Sequence, residues 1–155
     1  MNEAFPDATT AEVDMTLRAA AQAFHSFRKL SGERRATFLE TIADILESNS
    51  EEIISLADRE TSLGLPRLEM ELRRTANETR LFAGLAQSED WLESRSDEAE
   101  PDRIPIPKPA LQSNNIPLGP VVVIGACNFP LAISVVGTDT MSALAVGCPA
   151  IVKAH

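Results

Sequence analysis

The sequence is poor in the features that mark most specialised protein classes. No Lys/Arg cluster is dense enough to follow a phosphate backbone, and the formal net charge is -9, with 23 acidic against 14 basic side chains. No nucleic acid is expected as a partner. No apolar run reaches membrane-spanning length, and Met1-Asn-Glu-Ala-Phe-Pro-Asp7 lacks the basic and apolar regions of a signal peptide. No membrane association is therefore expected, and the cytoplasm is the expected compartment. Cysteine is scarce: Cys127 and Cys148 fit a reducing environment and read as small apolar fillers at the ends of two buried strands. His25 has no Cys or second His at ligand spacing, so no metal site is read. Gly119 and Gly125 are not a phosphate loop, because neither a Gly-Lys-Ser/Thr ending nor G-x-G-x-x-G accompanies them.

What is present is an ordinary globular composition, 44% hydrophobic and 24% charged over 155 residues, enough for one core. Thr9-x-x-Glu12 is a capping-box signature, and Val13, Leu17, Ala20, Phe24 and Phe27 recur at steps of four and three, predicting an amphipathic helix. Ser31 caps a second helix, with Phe38, Leu39, Ile42, Ile45 and Leu46 as its buried stripe and Arg34, Arg35, Glu40, Asp44 and Glu47 mostly facing water. After Asn49-Ser50 comes a shorter third helix carrying Ile53, Ile54, Leu56 and Ala57. It ends near Glu60-Thr61, which reads as a solvated helix terminus. Pro66 suits the first turn of a fourth helix with Leu68, Leu72, Ala76, Thr79, Phe82 and Leu85 along one side.

The composition then shifts. From Gln87 to Asp102, Glu89, Asp90, Glu93, Asp97, Glu98, Glu100 and Asp102 surround Trp91 and Leu92 with only Arg95 opposing, which reads as a solvated linker. In Ile104–Leu111 proline recurs at every second position and strips N–H groups from one edge. That segment is either an edge strand or extended arm, or a flexible linker.

The last third organises the chain. Gly119-Pro120 makes a tight turn, and Val121, Val122, Val123 and Ile124 form an unbroken β-branched run expected of a strand buried on both faces in a parallel sheet. Gly125 and Ala126 permit close approach at the strand's end, Asn128 supplies a short amide there, and Pro130 suits a helix start. Leu131 to Val146 can span a helix that Gly147 ends, and Ala150-Ile-Val-Lys-Ala154 reads as the second strand of a β-α-β unit. Ligands bind at the carboxyl ends of strands in open α/β sheets, which is where Asn128 stands. Its amide can donate to a developing oxyanion. It can equally cap a helix beginning near Phe129, and spacing alone favours the cap. Cys127 beside it resembles a nucleophile, but neither His25 nor His155 is placed to activate it. Cys148, between Gly147 and Pro149, reads as a structural turn residue. Lys153 would be costly to bury unpaired, so it must emerge at the strand tip or meet an anion.

Gly119-Pro-Val-Val-Val-Ile-Gly-Ala-Cys-Asn-Phe-Pro-Leu131 followed by Gly147-Cys-Pro-Ala-Ile-Val-Lys153 resembles the cofactor-binding region of the aldehyde dehydrogenase superfamily. The Asn-Phe-Pro element and the Lys closing the next strand carry the match. The wording is most similar to the NADP-preferring 2,5-dioxovalerate (α-ketoglutarate semialdehyde) and long-chain fatty aldehyde branches. The resemblance implies an α/β fold: a helical layer (1–88), an acidic linker with a proline-rich edge strand or oligomerisation arm (89–118), and the first, incomplete β-α-β unit of a Rossmann-like NAD(P)-binding domain (119–155). It implies oxidation of an aldehyde to a carboxylate through a thioacyl-enzyme, with NADP slightly favoured over NAD. Asn128 would hold the oxyanion, Lys153 the adenosine ribose or its 2′-phosphate, and Ile124, Gly125, Ala126 and Cys127 would lie against the nicotinamide half. Many relatives carry Pro-Trp where this chain has Ala126-Cys127, a departure from the family pattern at that pair. The nucleophilic Cys and the general-base Glu lie downstream in the family, so this chain alone is expected to be inactive. The full-length enzyme is expected to be a homo-oligomer. The alternatives are a non-catalytic interaction module pairing through its arm with a full-length relative, and an unrelated small α/β binding domain.

Overall fold

In the computed structural model, which describes residues 6–133 and 135–153, the first helix opens on the cap its sequence predicts. Thr9 Oγ1 accepts from the Glu12 N–H at 3.3 Å and Glu12 Oε2 accepts from the Thr9 N–H at 2.7 Å. Those hydrogen bonds hold the Glu12 carboxyl below its ordinary range. Helix α1 (Thr10–Phe27) buries only Ala20 of its apolar stripe, leaving Val13 and Leu17 exposed. The expected core face is thus largely uncovered, because α1 touches the rest of the molecule mainly at the last strand.

The compact part of the helical layer is α2 (Gly32–Ser48), α3 (Ser50–Thr61) and α4 (Leu65–Ser88). Ser31 caps α2 by accepting from the Arg34 N–H, and Pro66 sits in the first turn of α4. Leu39, Ala36, Ala83 and Ala86 form one buried cluster between α2 and α4; Leu46, Ile54, Ala57, Leu68 and Leu72 form a second that brings in α3. Small side chains let the helices approach closely. A Cβ on Gly32 would lie 2.2 Å from the Ala86 carbonyl oxygen. Two expectations for α2 fail in opposite directions. Phe38 and Ile45 are exposed, whereas Arg35, expected to face water, is only 4% exposed. Its position four residues before Leu39 puts it on the inner face. Its guanidinium donates to the carbonyls of Ala145 (2.9 Å) and Leu30 and lies over the Trp91 ring. Burial lowers its pKa and the charge of Glu89 partly restores it.

The acidic stretch is more than a linker. A 3₁₀ turn at Asp90–Leu92 leads into β1 (Arg95–Asp97), which pairs antiparallel with β2 (Leu111–Ser113), Arg95 opposite Ser113. The strand lies beyond the prolines, whose missing N–H groups cannot complete a ladder. Between them Glu100 and Lys108 form a single bridge, closed by Lys108 Nζ between Glu100 and Asp97. Asn115 ties the arm back by donating to the carbonyls of Leu92 and Trp91.

Strand β3 (Val121–Ile124) pairs parallel with β4 (Ala150–Lys153) in the register Val121↔Ala150 to Ile124↔Lys153. Expected burial on both faces is not found: Val123 is buried, but Val122 is 54% and Ile124 71% exposed. Alternation sends successive side chains to opposite faces, and among the described residues only one face is covered, by α5 (Thr138–Ala145). Trp91, Ile116, Leu118 and Val122 line an open apolar groove beside it. The crossover helix is also shorter than expected. Residues 126–133 and 135–137 run as turns, and α5 starts only at Thr138 with Gly137 as its N-cap. The β-branched Ile133, Val135 and Val136 disfavour a helical start. Gly147 does end the helix, with φ +86° just beyond it. Ala154 and His155 lie outside the described residues.

Candidate functional site

The crossover from β3 through α5 to β4 runs the two strands in the same direction and brings their tips to one edge of the sheet. Because Ile124 pairs with Lys153, their backbones stand one strand spacing apart, about 4.8 Å. Gly125, Ala126, Cys127 and Asn128 continue directly from the first tip. Lys153 emerges exposed at its tip. Ala126, Cys127 and Asn128 are exposed as well, and Gly125 is partly buried. Cys127 is therefore not the buried filler expected, since the strand ends before it; Cys148 is buried, and its N–H donates to the Ala143 carbonyl at 2.9 Å. His25 is exposed on α1.

Asn128 caps no helix, because α5 begins ten residues later. Among the described residues no group hydrogen-bonds its side-chain amide; its carbonyl accepts from Arg67 Nη2 at 2.8 Å. The same guanidinium lies 4.9 Å from the centre of the Phe129 ring.

The turn that follows is held mostly by α4. Glu71 Oε1 accepts from the N–H groups of both Leu131 (2.8 Å) and Ala132 (3.0 Å), and Thr75 Oγ1 donates to the Leu131 carbonyl (2.8 Å). Farther along, Thr138 Oγ1 donates to Glu78 Oε2 at 2.7 Å, at the first residue of α5. Burial pushes the Glu78 carboxyl up, but hydrogen bonds from Arg74 and Thr138 and the charge of Arg74 outweigh it and leave it below the ordinary range. Leu131 and Val136 anchor the same turn by packing on the cluster around Leu68 and Leu72. Hydrogen bonds to a charged acceptor contribute roughly 1.5–3 kcal/mol each, so the two amides on Glu71 outweigh any one of the turn's own bonds, which run from 3.0 to 3.4 Å.

None of Arg67, Glu71, Thr75 or Glu78 stands out in the sequence as a site residue. One signal was available. Glu71 lies three residues after Leu68 and four before Thr75, inside the apolar stripe of α4, and a carboxylate there requires a buried partner.

Residues 2–155 match the Aldehyde dehydrogenase family. The chain is 45% identical over 151 residues to alpha-ketoglutaric semialdehyde dehydrogenase 2 of Azospirillum brasilense and 43% identical over 151 residues to alpha-ketoglutaric semialdehyde dehydrogenase of Acinetobacter baylyi. In both cases 97% of this chain is covered and 29% of the relative. A crystal structure of an NAD-dependent benzaldehyde dehydrogenase from Corynebacterium glutamicum superposes with a TM-score of 0.80 at 25% identity, over 96% of this chain and 30% of that one. The chain thus spans about three-tenths of the length of the relatives it matches, and the matched part is their amino-terminal portion. Family match, sequence relatives and superposed backbone agree over nearly the whole chain: it belongs to the aldehyde dehydrogenase family.

Proposed function

We propose that this chain contributes the oxyanion donor and part of the cofactor site to an NAD(P)-dependent oxidation of α-ketoglutaric semialdehyde to the dicarboxylate. The observation that supports the reading is the parallel register that sets Ile124 beside Lys153, with Asn128 following four residues beyond the first strand tip. An uncharged amide there donates to the substrate oxygen as it gains negative charge during thiohemiacetal formation, and it does so without having to ionise. The cap that competed for Asn128 is gone, and its amide is exposed. Lys153, at the adjoining tip, serves the ribose hydroxyls of NAD or the 2′-phosphate of NADP by charge and hydrogen bonding. Ile124 and Gly125 to Cys127 offer the nicotinamide half a partly apolar wall. The nucleophilic thiol and the general base come from sequence outside these 155 residues, and the exposed β1–β2 arm serves subunit pairing in a cytoplasmic homo-oligomer.

α-Ketoglutaric semialdehyde is the substrate chosen because the Azospirillum brasilense and Acinetobacter baylyi relatives, 45% and 43% identical to this chain, both bear that name. Grafting residues 2–155 into the Azospirillum brasilense enzyme in place of its matching segment tests the reading. The exchanged enzyme should oxidise α-ketoglutaric semialdehyde, and the purified 155-residue chain should give no aldehyde-dependent NADPH or NADH. Turnover by the chain alone, or an inactive exchanged enzyme that still folds and binds cofactor, contradicts the proposal.

A further inference from the structure

We propose that Glu71, with Arg67 and Thr75 beside it, is the positioning residue for the loop that carries Asn128; the functional part of this role rests on Asn128 being the oxyanion donor. The three side chains are spaced by four and form one row on α4. They meet the loop in sequence order: Arg67 holds the Asn128 carbonyl, Glu71 the Leu131 and Ala132 N–H groups, and Thr75 the Leu131 carbonyl. The row therefore grips the main chain at both ends of the stretch 128–132, where the chain has left β3 and not yet entered α5.

Glu71 is the member whose presence packing does not explain. Its residue is 5% exposed amid Leu68, Leu72 and Thr75, where an apolar side chain would fill the space without desolvating a charge. One carboxylate oxygen takes both amides. The other, Oε2, is buried with no hydrogen-bond partner among the described residues and lies 3.7 Å from Arg67 Nε. Arg67 thus couples the carboxylate to the Asn128 carbonyl. An oxyanion donor must be held to a fraction of an ångström to favour the transition state, and the bonds that the stretch 126–132 makes within itself are long, 3.4 Å from the Phe129 N–H to the Ala126 carbonyl and 3.3 Å from the Ala132 N–H to the Phe129 carbonyl. The rigid helix supplies what the loop lacks.

The test uses the ¹⁵N-labelled 155-residue chain, reading amide hydrogen exchange and the side-chain NH₂ cross-peaks of Asn128. Glu71→Ala should speed exchange at Leu131 and Ala132 by about 10–100-fold and displace the Asn128 side-chain signals, while the Leu39 and Thr79 amides keep their rates. Glu71→Gln, which retains an acceptor oxygen, should restore most of the protection. Thr75→Val, nearly isosteric, should displace the Asn128 signals with the core intact, and it decides the matter if Glu71→Ala fails to fold. Unchanged Asn128 signals in Thr75→Val, or in a folded Glu71→Ala, overturn the proposal; so does Glu71→Gln losing protection as fully as Glu71→Ala. These readouts report loop placement whether or not Asn128 meets an oxyanion. A normal kcat in Asn128→Ala would instead remove the catalytic reading and leave the loop result standing.

Discussion

The α2–α4 seam and the turn from Ala126 to Thr138 are both fixed against α4, yet by different means. In the seam, side chain meets side chain: Leu39, Ala83 and Ala86 interdigitate, and Gly32 lets the helix backbones nearly touch. In the turn, side chain meets backbone: Arg67, Glu71 and Thr75 grip carbonyls and amides of a segment with little regular structure. Close packing makes a frame that is stable but indifferent to what it carries. Directed polar contacts place one loop at one strand end.

The comparison can be broken from the seam side first. Leu39→Ala should cost the most, about 2–5 kcal/mol in denaturant unfolding, because the site is fully buried and surrounded by packed helix. An unchanged unfolding midpoint would show that the seam is not the frame. Gly32→Ala follows, at about 1–3 kcal/mol, since its methyl would meet the Ala86 carbonyl and the helices must move apart. That variant should lower the melting temperature without altering the register of β3 and β4.

Smaller effects sharpen the polar side. Glu78 titrates below its ordinary value near 4.5 in the fold. A depressed carboxyl pKa contributes stability that is present above the unfolded pKa and fades as pH falls through the folded one. Acidification below about pH 4.5 should therefore weaken the Thr138–Glu78 contact. Thermal melts of wild type and Glu78→Gln should converge there and differ at neutral pH; a constant difference would contradict the assignment. Smallest is the exposed cluster in which Arg80 bridges Glu47 and Asp44, whose hydrogen bonds and charge raise its pKa, and approaches Glu40. Arg80→Ala should shift the melting temperature by no more than a few degrees, and less still in high salt.

The same contrast explains what the sequence made legible. Helix starts at Thr9, Ser31 and Pro66 and the strand pair at Val121 and Ala150 follow from local chemistry: caps, a fixed φ, a β-branched run between turns. Periodicity marks which faces are apolar but not which are covered, so Val13, Phe38, Ile45 and Ile124 stayed exposed. The start of α5 differs from the expected one because Leu131 to Val136 is almost wholly apolar and so reads as part of the helix, and only the β-branched Ile133, Val135 and Val136 and the following Gly137 argue against helix there. Partners sixty residues apart, such as Glu71 and Leu131, leave no mark but a charge on an apolar stripe. Arg35 left the same mark on α2 and was equally misread as a surface cation.

The most direct measurement compares Asn128→Ala with Lys153→Ala in the segment-exchanged dehydrogenase, reading kcat and the cofactor KM together. Two adjoining strand tips with separate tasks predict a clean split: Asn128→Ala lowers kcat by about 10²–10³ with the cofactor KM unchanged, and Lys153→Ala raises the cofactor KM with kcat retained. An Asn128→Ala enzyme that turns over at the unsubstituted rate, or a Lys153→Ala enzyme with an unaltered cofactor KM, would contradict the placement of the site at this edge.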